Sequence, residues 1–490
     1  MIGVHTVEEI RAAEDALMAR LPDGALMQRA VAGLVTVCAG LLDGVYGARV
    51  VVLAGAGNNG GDALWAGARL ARRGAHADAV LLNPDKAHAE GLAAFRAAGG
   101  RLVDLGAAAG ALAAADLVLD GILGIGGRGG LRGDAAELAA LLRAGRTAGA
   151  VVAVDLSSGV DPDTGETPGE HVVADHTVTF GTGKTALVVD PAATVAGVVH
   201  HVDIGLGPYL PSPELTVLDD ADVATLLPDP GRESDKYSRG VVGVLAGSAQ
   251  FPGAAVLAVG GALHGGAGMV RYAGPDAVAV EVRQRWPEAI AGPSPDVVGR
   301  VQAWTVGSGL GDGREDDVRA ALGAGLPVLV DADGLRGLPE RFAGPALLTP
   351  HAGELARLLG VERAEVEARR LHHARAAATR WNAVVLLKGS TTVVAAPDGR
   401  VRVNPTGTSA LAAAGTGDVL AGLAGSLLAG GLSPLDAGSV AAYAHGLAGQ
   451  RAAAGSGYPS AADVLAALPG VLRSLRGVVG AGAVHPLTAE

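Results

Sequence analysis

The segment Asn404-Pro-Thr-Gly-Thr-Ser-Ala-Leu-Ala-Ala-Ala-Gly415-Thr416-Gly417-Asp418 joins small residues, a glycine turn and a carboxylate directly before an apolar run at 419–428. Small residues let backbone N–H groups approach a ligand closely. The positive end of the helix that follows adds to them, so 415–417 is a ready anion site. Asp418 beside it can take a proton or orient an attacking hydroxyl. These residue types at this spacing support phosphate chemistry on a small molecule.

The first half carries three polar loops. Gly55-Ala-Gly57-Asn58-Asn59-Gly60 matches G-x-G-x-x-G between a strand-like and a helix-like run, the context of a dinucleotide turn. The next strand, however, ends Leu81-Leu82-Asn83, without the acid that would hold a ribose. Asn58, Asn59 and Asp62 bring carbonyl oxygens and a carboxylate together, which suits a hard cation as well as a phosphate. The other loops are Asp120-Gly-Ile-Leu-Gly124-Ile125-Gly126-Gly127-Arg128-Gly129-Gly130 and Asp155-Leu-Ser157-Ser158-Gly159. In an open α/β sheet the carboxyl ends of the strands line the ligand crevice, so the three loops meet there. Thr182-Gly183-Lys184-Thr185 resembles the end of a P-loop. Val178 replaces the required first glycine and 186–189 reads as a strand, which excludes a P-loop NTPase.

These loops need a scaffold that points strand ends at one crevice. The 490 residues alternate strand-like and helix-like runs throughout, which implies parallel sheets with helices on both faces. Strands are expected at 49–54, 77–82, 117–120 and 151–155, then at 241–246, 268–273, 303–306, 327–331, 346–349 and 383–388. A hairpin is expected around Asp398-Gly399. Five prolines between Pro208 and Pro230 flank the acidic stretch 214–222, read here as a connector.

The composition, 49% hydrophobic and 18% charged with 76 glycines, is that of a large globular chain with ample core. A net charge of −12 argues against nucleic acid or an anionic membrane as partner. The single cysteine, Cys38, lies in an apolar run, reads as a core residue and allows no intrachain disulfide. Residues 1–15 carry Glu8, Glu9, Glu14 and Asp15 rather than an apolar leader, and 253–270 is broken by glycines and His264, so the expected location is cytoplasmic. The lysines are Lys86, Lys184, Lys236 and Lys388; the other 34 of the 38 basic residues are arginine. Where arginine supplies the general surface charge, a lysine marks a place that needs a compact ammonium.

Taken together, the three loops of the first half resemble the NAD(P)H-hydrate epimerase domain. The second half resembles the ADP/ATP-dependent NAD(P)H-hydrate dehydratase through Gly247-Ser248, Pro252-Gly253-Ala254, Gly307-Ser308-Gly309-Leu310, Leu348-Thr349-Pro350-His351-Ala352-Gly353-Glu354, Leu387-Lys388-Gly389-Ser390-Thr391-Thr392 and the Asp418 segment. Order and spacing over most of the chain are similar to the fused bifunctional repair family. The resemblance implies an α/β chain with an N-terminal Rossmann-like three-layer αβα domain (1–212), a linker (213–232) and a ribokinase-like domain (233–478). It implies that Asn58, Asn59, Gly60, Gly61 and Asp62 touch the hydrated nucleotide. Asn59, Asp120 and Ser158 would hold potassium, and 124–130 would cradle phosphate. Asp155 would contact the hydrated nicotinamide and serve as the epimerase base. In the second half Ala254, Gly309, His351 and Asp418 would face the hydrate. Lys388, Gly389, Ser390, Thr391, Thr392 and Gly417 would hold ADP or ATP with Mg2+, and Asp418 would be the catalytic acid/base. A homo-oligomer is also implied. The chain departs from the family pattern at Ala63, Gly127, Ser157 and Ala414. A ribokinase-like kinase for a small alcohol such as a vitamin precursor, with a nucleotide-binding first half, is the alternative that shares Asp418 and its glycine turn.

Overall fold

The computed structural model describes residues 1–145 and 149–477; the expected domain end at 478 lies outside them. The chain divides into two compact units, Gly3–Glu214 and Leu215 onward, the latter including Met1–Ile2.

The first unit is a seven-stranded sheet with every described pairing parallel. Its strands lie in the order Arg101–Leu102, His76–Leu81, Arg49–Ala54, Leu117–Gly121, Ala150–Val154, His176–Phe180, Val198–Val202. Strands such as Val50-Val51-Val52-Leu53 are apolar at every position because both faces are covered. Val50, Val52 and Ala54 pack with residues of helices Ala25–Leu41 and Asn58–Arg72, whereas Val51 and Leu53 pack with Leu112 and Leu138 of helices on the other face. This is the expected three-layer αβα unit. The strand order reverses between Arg49–Ala54 and Leu117–Gly121, so a crevice opens beyond their carboxyl ends.

The second unit repeats this logic around a larger sheet. Strands Val241–Leu245, Met269–Ala273, Ile290–Gly292, Ala303–Val306, Val328–Val330, Ala346–Leu348 and Val384–Leu387 pair in parallel. Thr392–Ala395 and Val401–Asn404 form the expected antiparallel hairpin. The order reverses between Val241–Leu245 and Ala303–Val306. Helix Thr416–Ala429 is apolar after its first turn apart from Ser426 and is almost wholly buried. Its Gly422 lies against helix Pro252–His264, where a Cβ would stand 2.0 Å from the Ala258 carbonyl oxygen.

Two stretches differ from the sequence expectation. Residues 186–189 form no strand; a 3-10 turn at Thr185–Leu187 stands there. Within the expected connector, Leu215–Val217 is a strand paired in parallel with Val401–Asn404, and Asp220–Leu226 is a helix whose Asp220 accepts a 2.6 Å hydrogen bond from the Tyr443 hydroxyl. Three-residue strands are too short for periodicity to register against a proline-rich background. Among the described residues no helix is long and apolar enough to cross a membrane.

The close packing at Gly422 gives a stability test. Gly422→Ala is expected to cost about 1–3 kcal/mol through overpacking and to lower the melting temperature; an unchanged melting temperature contradicts the packing described.

Candidate functional sites

In the first unit the strand Arg49–Ala54 runs through Gly55 into helix Asn58–Arg72, and this turn leaves no room for side chains. A Cβ on Gly55 would stand 1.9 Å from the Ile122 carbonyl oxygen, and one on Gly60 would stand 2.2 Å from that of Gly55. Asn58, Asn59, Gly60, Gly61 and Asp62 therefore occupy the first turns of the helix at the reversal point. The next loop comes close: Asn59 Oδ1 lies 2.8 Å from where a Gly124 Cβ would be, while the buried Asn59 Nδ2 has no hydrogen-bond partner. Asp120 is fully buried. It accepts from the Ser158 N–H (2.9 Å) and the Ser158 hydroxyl (2.6 Å), and Ser158 Oγ accepts from the Leu123 N–H at 2.9 Å. Burial pushes the Asp120 carboxyl up to about 6, against the lowering effect of its hydrogen bonds to Ser158 and Ile122.

The loop 124–130 folds over the same end. Gly127 N–H bonds the Gly124 carbonyl at 2.9 Å, and Arg128 is exposed. Arg11 Nη2 stands 3.6 Å from where a Gly126 Cβ would be. Gly130 leans on another strip of backbone, with its Cβ position 2.5 Å from the Gly169 Cα. Asp155 faces a different partner, the buried ammonium of Lys184, 2.6 Å from its Oδ1. A cleft of about 460 Å3 is lined by Glu14, Asn58, Asp62, Trp65, His88 and Phe180, among others. Burial, then Asp155, then Glu14 hold the Asp62 carboxyl well above the usual range, and its Oδ1 has no partner. Burial, then Asp155, also raises Glu14, against the opposing effect of Lys184.

In the second unit the segments that follow Leu245, Val306, Val330, Leu348 and Leu387 converge on one cluster. Gly309 meets Ala254 across the reversal point, with its Cβ position 2.7 Å from the Ala254 Cβ. Asp331 follows strand Val328–Val330 and is buried; Lys388 Nζ lies 2.7 Å and the Thr349 hydroxyl 2.9 Å from its Oδ1. Asp418 sits in the first turn of helix Thr416–Ala429, entered through Gly415 at φ 89°. The Lys388 ammonium lies 3.7 Å from where a Gly417 Cβ would be. Burial lowers the Lys388 ammonium, but Asp331, Glu354 and Asp418 outweigh it and the net shift is upward. Burial and then the Asp331 charge push the Asp418 carboxyl up to about 7, against a Ser308 hydrogen bond and Lys388.

His351 neighbours Lys388 through a parallel bridge. Its Nδ1 accepts from the N–H groups of Gly353 (3.0 Å) and Glu354 (3.2 Å), capping helix Ala352–Leu359. Burial is the largest cause lowering its imidazole, in line with that acceptor role. Gly389 and Ser390 are exposed, and Thr392 Oγ1 donates to the Gly389 carbonyl at 3.2 Å. Arg370 underpins this turn by donating to the carbonyls of Leu387 (3.2 Å), Lys388 (3.0 Å) and Thr391 (3.4 Å).

Known proteins match both halves. Residues 242–469 match the NAD(P)H-hydrate dehydratase family and residues 23–186 match the YjeF-related protein N-terminus family. A protein of Mycobacterium tuberculosis named bifunctional NAD(P)H-hydrate repair enzyme is 49% identical over 420 residues, 83% of this chain and 84% of that protein. The chain belongs to the bifunctional NAD(P)H-hydrate repair enzyme family. An NAD(P)H-hydrate epimerase of Microbacterium testaceum is 42% identical over 240 residues, 49% of this chain and 92% of that protein. A ribokinase-like superfamily protein of Enterococcus faecalis, 21% identical, has the same fold over 54% of this chain and 98% of its own, with a TM-score of 0.50. As a repair enzyme the chain carries an epimerase in its N-terminal half and a nucleotide-dependent dehydratase in its C-terminal half. The small-alcohol kinase alternative leaves the first half without an account and is not favoured.

Other charged or buried polar groups stand near these residues without a signal of their own in the loop motifs. Asp331 ends a parallel strand, which in an α/β sheet is itself a site position. Lys184 is one of four lysines and lies in a segment whose local pattern resembles the end of a P-loop. His445 is buried in helix Pro434–Ser456 and hydrogen-bonded to the Thr416 backbone; burial lowers it to about 4, and no sequence signal marks it.

The Asp418 environment sets a pH dependence. Its proton is held up to about 7, so a step that needs the carboxylate slows as pH falls through that value. The dehydratase kcat/KM is expected to show an acidic limb near 7. Asp331→Asn removes the raising charge and should move that limb down; a limb near about 4, where a free carboxylate titrates, in the unaltered enzyme contradicts the assignment.

Proposed function

We propose that Asp418 is the acid/base of dehydration. The observation that carries this reading is its position in the first turn of a helix, with a carboxyl poised near neutrality beside Lys388. Dehydration needs the ring hydroxyl turned into a leaving group. Adenine nucleotide does this by phosphorylation: Asp418 takes the hydroxyl proton as the oxygen attacks the terminal phosphoryl group, whose bond to the rest of the nucleotide breaks and releases AMP from ADP or ADP from ATP. The amides at 415–417 and the Lys388 ammonium hold the charge that spreads over that group. Phosphate then departs with the C–O bond electrons, and loss of the neighbouring ring proton restores NADH or NADPH. The turn Lys388-Gly389-Ser390-Thr391-Thr392 and Gly417 take the nucleotide; Ala254, Gly309 and His351 border the hydrate. Mg2+ on the phosphates would supply charge neutralisation. ADP and ATP both suit this arrangement.

In the first unit, Asp155 acts as the epimerase base, Asn58 to Asp62 contact the hydrate, and the loop 124–130 with Arg11 takes its phosphates. Asn59, Asp120 and Ser158 fit potassium: they offer hard oxygen donors with a single carboxylate, beside an amide whose buried nitrogen lacks a partner. Bound there, potassium would supply a fixed positive charge and tie the three loops together.

Asp418→Asn is expected to lower dehydration about 10²–10⁴-fold with nucleotide affinity nearly unchanged, as read by steady-state rates and calorimetry; retained turnover removes Asp418 from the mechanism. Epimer exchange is expected to fall in potassium-free buffer and to lose that response in Asp120→Asn. Equal rates with and without potassium would reject the site.

A further inference from the structure

The Lys184 ammonium has no part in the reading above, yet its burial needs a reason. Lys184 is 1% exposed. An ammonium taken out of water costs several kcal/mol unless acceptors surround it. Here three do: Asp155 Oδ1 at 2.6 Å, Thr179 Oγ1 at 2.8 Å and the Phe180 carbonyl at 2.8 Å. The Thr179 hydroxyl, having accepted from Lys184, donates onward to Asp155 Oδ1 at 3.3 Å, and the Phe180 N–H reaches the same oxygen at 3.5 Å. Each of these donors to the Asp155 carboxylate therefore ends on Oδ1. No hydrogen bond among the described residues ends on Oδ2.

The backbone supports this orientation. Asp155 adopts φ 69°, a left-handed conformation rare outside glycine. Such a conformation persists where the surroundings hold it in place. The Asp155 N–H bonds the Val178 carbonyl at 2.8 Å, so strand His176–Phe180 fixes the main chain while Lys184, four residues past that strand, fixes the side chain. Glu14 from helix Val7–Met18 and Asp62 from helix Asn58–Arg72 face the same carboxylate and line the cleft.

We propose that Lys184 is a positioning residue for epimerisation: its ammonium clamps one oxygen of Asp155 so that the other alone is presented to the hydrate. This rests on Asp155 being the base. A clamp of this kind raises kcat without contributing to substrate affinity, because a base displaced by about 1 Å costs about 10²-fold in rate.

The test measures exchange of separated R and S hydrates above the spontaneous rate, in the full chain, for Lys184→Met, Lys184→Arg, Asp155→Asn and the Lys184→Met/Asp155→Asn pair. Lys184→Met should lose about 10²-fold in kcat at little-changed KM, with Lys184→Arg between it and the parent. Added to Asp155→Asn it should cause no further loss, because Lys184 acts through Asp155. A raised KM at parental kcat, or losses that add in the pair, would overturn the proposal in favour of direct substrate binding or a purely structural role. Should Lys184→Met lose hydrate binding altogether, Lys184→Arg decides: reduced kcat at parental KM supports the clamp, and parental kcat overturns it. Exchange at the parental rate in Asp155→Asn would instead remove the base assignment, a separate failure.

Discussion

The 2.7 Å contact between Lys388 Nζ and Asp331 Oδ1 joins the ends of two parallel strands, and the second unit's chemistry is arranged around it. Three carboxyls, Asp331, Glu354 and Asp418, act on this one ammonium. A single cation cannot neutralise three carboxylates at once. The shortfall appears at Asp418, whose proton is held to about 7 by burial and by Asp331. Asp331, bonded by Lys388 and Thr349, takes the cation's closest contact; Asp418, at the helix N-terminus, is left poised to exchange a proton. An arrangement built to hold charge in one carboxylate thereby leaves its neighbour chemically available.

The first unit uses the same device with different residues. Lys184 lies under Asp155 as Lys388 lies beside Asp331, each near the carboxyl end of a parallel strand. Two of the chain's four lysines thus occupy the buried centres, in a sequence that otherwise uses arginine. A compact ammonium with three divergent donors fits between a carboxylate, a hydroxyl and a carbonyl, where a planar guanidinium would demand a wider, flatter cavity.

Much of this was legible beforehand. Strands that are mostly apolar and buried, such as Arg49–Ala54 beyond its exposed first residue and Ala303–Val306, announce themselves in the sequence, and glycine loops after them mark the reversal points. Asp120 and Ser158 meet as their strand-end positions required. Ala254 and Gly309, far apart in sequence, touch because their strands flank the second reversal. Other features depend on tertiary placement. His351 reads as a lone histidine, and only the structure shows its imidazole capping a helix. Lys184 follows a strand in a loop whose local pattern suggests a nucleotide turn, while its partner Asp155 lies 29 residues earlier. The strand Leu215–Val217 is too short and too close to prolines to signal itself, and it gains its place only by pairing with a hairpin almost 190 residues later.

The most direct measurement is recovery of reduced-nicotinamide absorbance from a mixed-epimer NADPH-hydrate sample supplied with magnesium, potassium and ADP or ATP. Nucleotide-dependent recovery of the whole sample is expected, faster than spontaneous epimerisation permits. Recovery that stalls once the S form is consumed would contradict the epimerase assignment, and no recovery with either nucleotide would contradict the account as a whole.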